Sequence, residues 1–277
     1  MQQLTSTQNP RVKEVVHLRQ SRKRRQLGKF LIDGRRETDR AARCGFPLLE
    51  VFFAPDLASE ETSAWMQRFY EEYRDRVAFF ETSRSIFEKM AYGERDDGVL
   101  ATARRVEVRL DEMLDALPQG RPHLIGVIEG VEKPGNVGAI LRSADGAGVD
   151  ALIVADPKTD LFNPNTIRAS LGTIFSTPVC VASSEETLEE LRHRGVKIYA
   201  AIVDGAELYT CADFTHSCAI VLGSEAWGLS DAFRVPSVQP IFLPMRGIAD
   251  SLNVSTTAAI LFYEASRQRM AETPPLV

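Results

Sequence analysis

Two hydrophobic patterns run along this chain: short runs of branched and aromatic residues, and longer stretches with apolar side chains three and four positions apart. The runs predict buried strands and the stretches predict amphipathic helices. Pro10 to Gln20 reads as a first helix, opened by Asn9-Pro10 and carrying Val12, Val15, Val16 and Leu18 as a partial stripe. Phe30-Leu31-Ile32 then reads as a strand, Arg35 to Arg43 as a helix stopped at Gly45, and Leu49 to Phe53 as a strand. Ser63 to Tyr73 is expected to be helical, Val77 to Phe80 a strand, Ser85 to Met90 a short helix and Gly98 to Ala103 a strand. Such alternation is that of an α/β sandwich.

Residues 104 to 121 are charged and end in the turn-like Leu117-Pro118-Gln119-Gly120, so a domain boundary is expected there. Beyond it the alternation resumes. Strands are expected at His123 to Ile128, Ala151 to Val154, Thr177 to Val181, Lys197 to Ile202, Cys218 to Leu222 and Val238 to Leu243, with helices in most of the gaps. The length of 277 residues suits two domains. The expected organisation is a first domain over 1–104, a linker over 105–120, a second domain over 121–270 and a frayed tail over 271–277.

Composition adds little until charge is placed along the chain. Apolar residues at 44% and charged residues at 26% are ordinary for a globular protein. No apolar run reaches the ~18 to 20 residues that span a bilayer, and Met1 to Thr5 lacks the apolar core of a signal peptide, so a cytoplasmic protein without a membrane partner is expected. Cys44, Cys180, Cys211 and Cys218 show no CxxC spacing, which argues against a zinc site and predicts no metal. Net charge is −5, yet residues 1 to 43 hold twelve Lys or Arg against four Asp or Glu, a local +8 that leaves −13 for the rest. The basic segment includes Arg22, Lys23, Arg24, Arg25, Arg35 and Arg36, and is read either as a polyanion-binding face or as a solvated helix.

Candidate chemistry lies in three strand-end loops, where α/β proteins place their sites. The first, Gly130 to Gly138, opens a helix whose Val137, Ile140, Leu141 and Ala144 form the buried stripe. Arg142 points roughly 140° from Val137 at 100° per residue, off that stripe, where it is either a surface cation or a holder of phosphate or ribose. The glycine spacing is neither G-x-G-x-x-G nor the Walker pattern, so a pyrophosphate cradle is excluded. The second loop, Gly223-Ser224-Glu225-Ala226-Trp227-Gly228-Leu229, presents Glu225, either an ordinary surface carboxylate or a ligand for hydroxyl, ammonium or arginine. The third follows Leu243-Pro244-Met245 and offers Ser251, Asn253 and Ser255, with Asn253 placed to cap a helix over Val254 to Arg269.

These loops carry a resemblance. Asn136-Val137-Gly138-Ala139-Ile140-Leu141-Arg142, Leu222-Gly223-Ser224-Glu225 with Gly228-Leu229, and Leu243-Pro244-Met245 followed by Ser251-Leu252-Asn253-Val254-Ser255 make the chain similar to the SpoU, or TrmH-type, RNA ribose 2'-O-methyltransferases. The N-terminal part resembles the L30e/L7Ae-like substrate-binding domain of many members, through Asn9-Pro10, Arg22 to Arg25, Phe30 to Arg36 and Gly98 to Ala101. Asp96-Asp97-Gly98 stands where that domain commonly has Pro-Gln-Gly, and Asp33 where it commonly has Glu.

The resemblance implies a SPOUT-type α/β methyltransferase domain tied in a trefoil knot, preceded by a smaller L30e-like α/β sandwich, and a homodimer formed through the catalytic domain. It implies S-adenosylmethionine as cofactor, with Gly223, Leu243, Leu252, Ala201 and Met245 as its binding positions. Arg142, Asn136, Glu225, Asn253 and Ser251 are implied as catalytic, with Glu225 orienting Arg142 or the ribose. The implied partner is RNA, ribosomal because the small tRNA-modifying members generally lack the N-terminal domain. Other readings are a tRNA ribose methyltransferase, a non-catalytic RNA-binding or ribosome-assembly protein on the same fold, and a knotted enzyme methylating a base.

Overall fold

The computed structural model describes residues 1–93, 97–202 and 207–272; of the expected tail over 271–277, residues 271 and 272 continue the last helix and 273–277 lie outside the described residues. The chain folds into two compact units, one made of Met1–Val106 with Phe162–Ser176, the other of Glu107–Leu161 with Thr177–Val277.

The first unit is built in chain order from β1 (Gln2–Leu4), α1 (Pro10–His17), α2 (Ser21–Leu27), β2 (Lys29–Asp33), α3 (Arg35–Arg43), β3 (Leu48–Phe53), α4 (Glu60–Tyr73), β4 (Ala78–Thr82), α5 (Arg84–Met90) and β5 (Val99–Arg104). Its sheet runs in the order β1-β4-β3-β5-β2, with β5 antiparallel to both neighbours. Local chemistry starts the helices: Asn9 Oδ1 accepts from the backbone N–H of Arg11 at 2.9 Å and Ser59 Oγ from that of Thr62 at 3.1 Å. The basic run forms α2, whose Arg24 turns inward and is 1% exposed. Residues 162–176 join this unit through a cluster of rings, Phe162 stacking on Phe30 at 4.5 Å between centroids and Phe175 meeting Phe46 at 4.9 Å.

The second unit begins earlier than expected. Residues 110–117, read from the sequence as linker, hold the helix α6 (Leu110–Asp115), and Leu110, Met113, Leu114 and Leu117 are buried in the same core as the central strands. Their spacing is a helical stripe, obscured by the charges between them. There follow β6 (Leu124–Glu129), α7 (Pro134–Ala147), β7 (Ala151–Ala155), the short α8 (Pro164–Ala169) that belongs to the first unit, β8 (Val179–Ala182), α9 (Ser184–His193), β9 (Lys197–Ala201), β10 (Glu207–Leu208), β11 (Cys218–Leu222), β12 (Val238–Phe242) and α10 (Val254–Glu272). The sheet runs in the order β10-β12-β9-β11-β6-β7-β8, and every pairing in it is parallel.

Every residue of β6, β7 and β11 is buried, as expected where helices cover both faces of a parallel sheet. One approach is especially close. A Cβ at Gly126 would lie 2.8 Å from Leu152 Cδ1 and 2.9 Å from Phe262 Cζ, so the glycine lets α10 settle onto the middle of the sheet. That contact fixes the helix whose N-terminus carries the third loop.

Candidate active site

The ends of β9, β11 and β12 and the loops that follow them surround a cleft of about 260 Å3 in the second unit. That is slightly below the roughly 300 to 1,000 Å3 usual for small-molecule sites. Ala201, Leu222, Gly223, Leu243, Met245 and Leu252 give it apolar and main-chain walls, while Glu225, Asp250 and Ser251 supply polar groups. All five cofactor positions expected from the sequence line this one cleft.

The second loop is a tight turn. Ser224 and Gly228 exchange backbone hydrogen bonds of 3.1 and 2.9 Å, and the Trp227 N–H donates to Ser224 Oγ at 3.1 Å. A Cβ at Gly223 would fall 2.3 Å from the carbonyl carbon of Gly228 and 2.5 Å from the nitrogen of Leu229, so only glycine fits where the strand ends. Behind the turn, the buried carboxylate of Glu129 accepts from the Ser230 N–H at 2.8 Å and the Ser230 hydroxyl at 2.6 Å. This residue escaped the sequence reading, although an acidic side chain closing an apolar strand, just before Gly130, was its signal. It fastens the end of the second loop to the end of β6.

Glu225 gathers the other two loops. Its Oε1 accepts from Asn136 Nδ2 on α7 and from Asn253 Nδ2 at 3.2 Å, and its Oε2 lies 3.9 Å from Lys133 Nζ. Asn253 Nδ2 is also 3.4 Å from Asn136 Oδ1. Three of the five expected catalytic residues therefore form one hydrogen-bonded group, and Ser251 lines the adjoining cleft. Arg142 stands apart: it is exposed on α7 and makes no hydrogen bond or ion pair among the described residues. Glu225, expected to orient Arg142 or the ribose, turns its carboxylate oxygens to Asn136, Asn253 and Lys133, and makes no contact with Arg142 among the described residues. Lys133 was not anticipated.

The basic segment divides into two kinds of residue. Arg22 and Arg25 are exposed on α2, and Lys23 reaches Gln26 Oε1 at 3.2 Å. Arg24 is no surface contact, contrary to the sequence expectation: its guanidinium donates to the carbonyls of Leu18 at 2.8 Å and Arg19 at 2.9 Å, which close the α1 end. The planar head satisfies helix-end carbonyls that would otherwise be orphaned. Arg35 pairs with Glu61 at 2.7 Å and lies over the Trp65 ring, and Arg36 pairs with the buried Glu37 at 2.7 Å. Asp97, at the turn that departs from the family pattern, accepts from the Arg35 N–H at 2.8 Å and the Val99 N–H at 3.2 Å, so it caps α3; Asp96 lies outside the described residues.

A wholly parallel sheet with a cleft at its strand ends, and an Asn–Glu–Asn group drawn from three loops beside it, defines the second unit as an α/β enzyme domain. The chain belongs to the SpoU rRNA methylase family, whose model matches residues 123–263, and it is a methyltransferase. Residues 9–101 match the MRM3-like substrate binding domain. Among its relatives is the 23S rRNA (uridine(2479)-2'-O)-methyltransferase of Streptomyces viridochromogenes, 30% identical over 256 residues that cover 90% of this chain and 86% of the relative. The chain is similar to a solved RNA 2'-O ribose methyltransferase, with 37% identity, a TM-score of 0.79 and coverage of 97% of this chain and 99% of the other. It is also similar to the SpoU methyltransferase AviRb from Streptomyces viridochromogenes in complex with AdoMet, with 27% identity, a TM-score of 0.82 and coverage of 95% and 99%. Among the described residues no helix is long and apolar enough to cross a membrane, and no group of three or more His, Cys, Asp or Glu side chains is placed to hold a metal ion.

Proposed function

We propose that this protein transfers methyl from S-adenosylmethionine to a ribose 2'-hydroxyl of ribosomal RNA. The observation that carries the reading is the Asn136–Glu225–Asn253 group at the rim of a cleft lined by Gly223, Leu243 and Leu252. The cleft fits the cofactor: apolar walls and main-chain edges suit a purine, Gly223 leaves no side chain in its way, and Asp250 and Glu225 suit an ammonium group. When bound, S-adenosylmethionine supplies an electrophilic methyl on a sulfonium.

The 2'-oxygen must form its bond to that methyl in line with the breaking C–S bond, whose electron pair stays on sulfur, and its proton must leave. The chain's own residues supply placement and charge. Glu225, its Oε1 fixed by two amides, presents a preorganised acceptor for a ribose hydroxyl, and Ser251 closes the cleft beside it. Arg142, without a partner among the described residues, holds the neighbouring phosphate and stabilises negative charge growing on the attacking oxygen. Removing a proton from a guanidinium is costly, so Arg142 is placed here as an electrostatic and positioning group rather than as the base.

The finer architecture follows the same reading. The first unit, Met1–Val106 with Phe162–Ser176, acts as an L30e-like RNA-binding domain, its five-stranded sheet covered by helices and its exposed Arg22 and Arg25 facing phosphate. The second unit, the catalytic domain, is a SPOUT trefoil knot, supported by a sheet order in which β12 lies outside β9 while α10 returns to pack on α7. It works as a homodimer, and a cytoplasmic location goes with its substrate.

The test is transfer of labelled methyl from S-adenosylmethionine to total RNA from a strain lacking the protein, with the labelled ribose mapped. Label at a 2'-hydroxyl of one ribosomal RNA supports the reading; no label on mature RNA or on assembly intermediates overturns it. Arg142→Ala is expected to lower turnover about a hundredfold or more with cofactor affinity unchanged. Equal loss of both in the folded variant removes Arg142 from the chemistry.

A further inference from the structure

Trp227 leaves 83% of its surface in water although it lies in the chain between Glu225 and Gly228, both of which line the cleft. A large aromatic side chain this exposed forgoes the burial that ordinarily stabilises it. Its main chain is held: the Ser224–Gly228 pair closes the turn, the Trp227 N–H is tied to Ser224 Oγ at 3.1 Å, and Gly223 is pressed against Gly228. The indole is thus carried on a defined support that also carries Glu225.

The other exposed residues of the three loops say what kind of surface would cover it. Ile248, on the third loop, is fully exposed, and Leu252 on the same loop lines the cleft. Lys133 and Arg142, on the first loop and its helix, and Arg246, on the third, are exposed cations. An exposed indole on one of three loops that also carry exposed cations matches a nucleotide, whose base has a π-face and whose phosphate is anionic. Two residues of chain reach at most ~7 Å, comparable with the span of one nucleoside from its 2'-hydroxyl to its base.

We propose that Trp227 is the platform on which the base of the target nucleotide stacks, setting the ribose beside Glu225. The inference rests on the ribose-methylation reading and adds a specificity-determining contact to it. Stacking on indole accepts any base, so Trp227 selects for a nucleotide turned out of its own stack rather than for one base identity.

Tryptophan emission tests this directly, because the chain has two tryptophans and Trp65 is buried with its Nε1–H on Asp39 at 3.0 Å. In the full-length Trp65→Phe protein, Trp227 is expected to emit as an exposed indole open to acrylamide, and to become quenched and shielded when unmodified rRNA is added. Trp227→Ala is expected to raise KM for rRNA about tenfold with the Kd for S-adenosylmethionine unchanged. Trp227→Phe is expected to recover most of that loss, which a merely structural role of the loop would not require. Emission already blue-shifted and closed to acrylamide in the free protein means a second copy of the chain covers the ring, and overturns the proposal. So does an active Trp227→Ala enzyme with wild-type KM and kcat. Absence of methyl transfer by the wild-type protein would instead bring down the ribose-methylation reading, and the platform with it.

Discussion

Asn253 serves two neighbours with the two ends of one amide: its Oδ1 accepts from the Ser255 N–H at 2.9 Å, and its Nδ2 donates to Glu225 Oε1 at 3.2 Å. The acceptor end caps α10, and the donor end binds the third loop to the second.

Asn253→Asp separates the two duties. The cap acceptor survives and a negative charge suits a helix N-terminus, whereas the donor becomes an oxygen facing the Glu225 carboxylate. The expected outcome is a melting temperature near that of the wild type with turnover lowered roughly tenfold or more. Asn253→Ala is expected to lose about 1 kcal/mol of stability in addition. Thermal melts paired with methyl-transfer rates check both.

Gly223→Ala places a Cβ against main-chain atoms, which cannot swing aside as a side chain would. The second loop must move, and cofactor affinity is expected to fall about tenfold or more, equivalent to ~1.4 kcal/mol. Calorimetric titration of the folded variant with S-adenosylmethionine reads it. An unchanged Kd would show that the tight turn is not needed for the cleft.

Within the basic run, neighbouring substitutions are expected to behave oppositely. Arg24→Ala unpairs the carbonyls of Leu18 and Arg19 and is expected to cost about 1 to 3 kcal/mol in denaturant unfolding. Arg22→Ala and Arg25→Ala are expected to leave stability within about 0.5 kcal/mol, while weakening RNA binding and flattening its salt dependence. Filter binding across a salt series alongside urea melts distinguishes the two classes.

Burial raises the Cys180 thiol to about 12 and the Cys218 thiol to about 11, in the latter against the opposing pull of Arg269. Below pH 9 both thiols are neutral in the folded and the unfolded chain, and the folded state keeps the whole benefit of an uncharged group. Above pH 9 the unfolded chain ionises first, so stability is lost as pH rises toward the folded-state values. The urea midpoint is expected to fall between pH 9 and 11, and less steeply in a Cys180→Ala, Cys218→Ala protein. At neutral pH iodoacetamide is expected to modify the exposed Cys44 and Cys211 and spare the other two.

The strands and the three loops were legible because each is local. Apolar runs such as Ala219 to Leu222 announce a strand buried on both faces, and the loop residues sit directly at its end. What was not legible is set by contacts distant in sequence or opposed to residue type. Nothing around Phe162 marks it as a partner for Phe30, 132 positions earlier in the numbering. Charge normally denotes exposure, which hid both the burial of Arg24 and the apolar stripe of α6. The three-residue β1 and two-residue β10 are too short to carry a period. The partners of Glu225 needed the fold, since Asn136 lies 89 positions before it.

Residues 162–176 pass out of the catalytic stretch of sequence into the first unit and back, so the backbone crosses from one unit to the other at 106/107, 161/162 and 176/177. The two units are therefore not modules joined by a single thread. A recombination event or a truncation at residue 106 would leave Phe162 and Phe175 stripped of Phe30 and Phe46 and turn a buried aromatic cluster into a sticky one. Gain or loss of the first unit in such a chain requires two matched changes in the gene, one at its beginning and one in its middle.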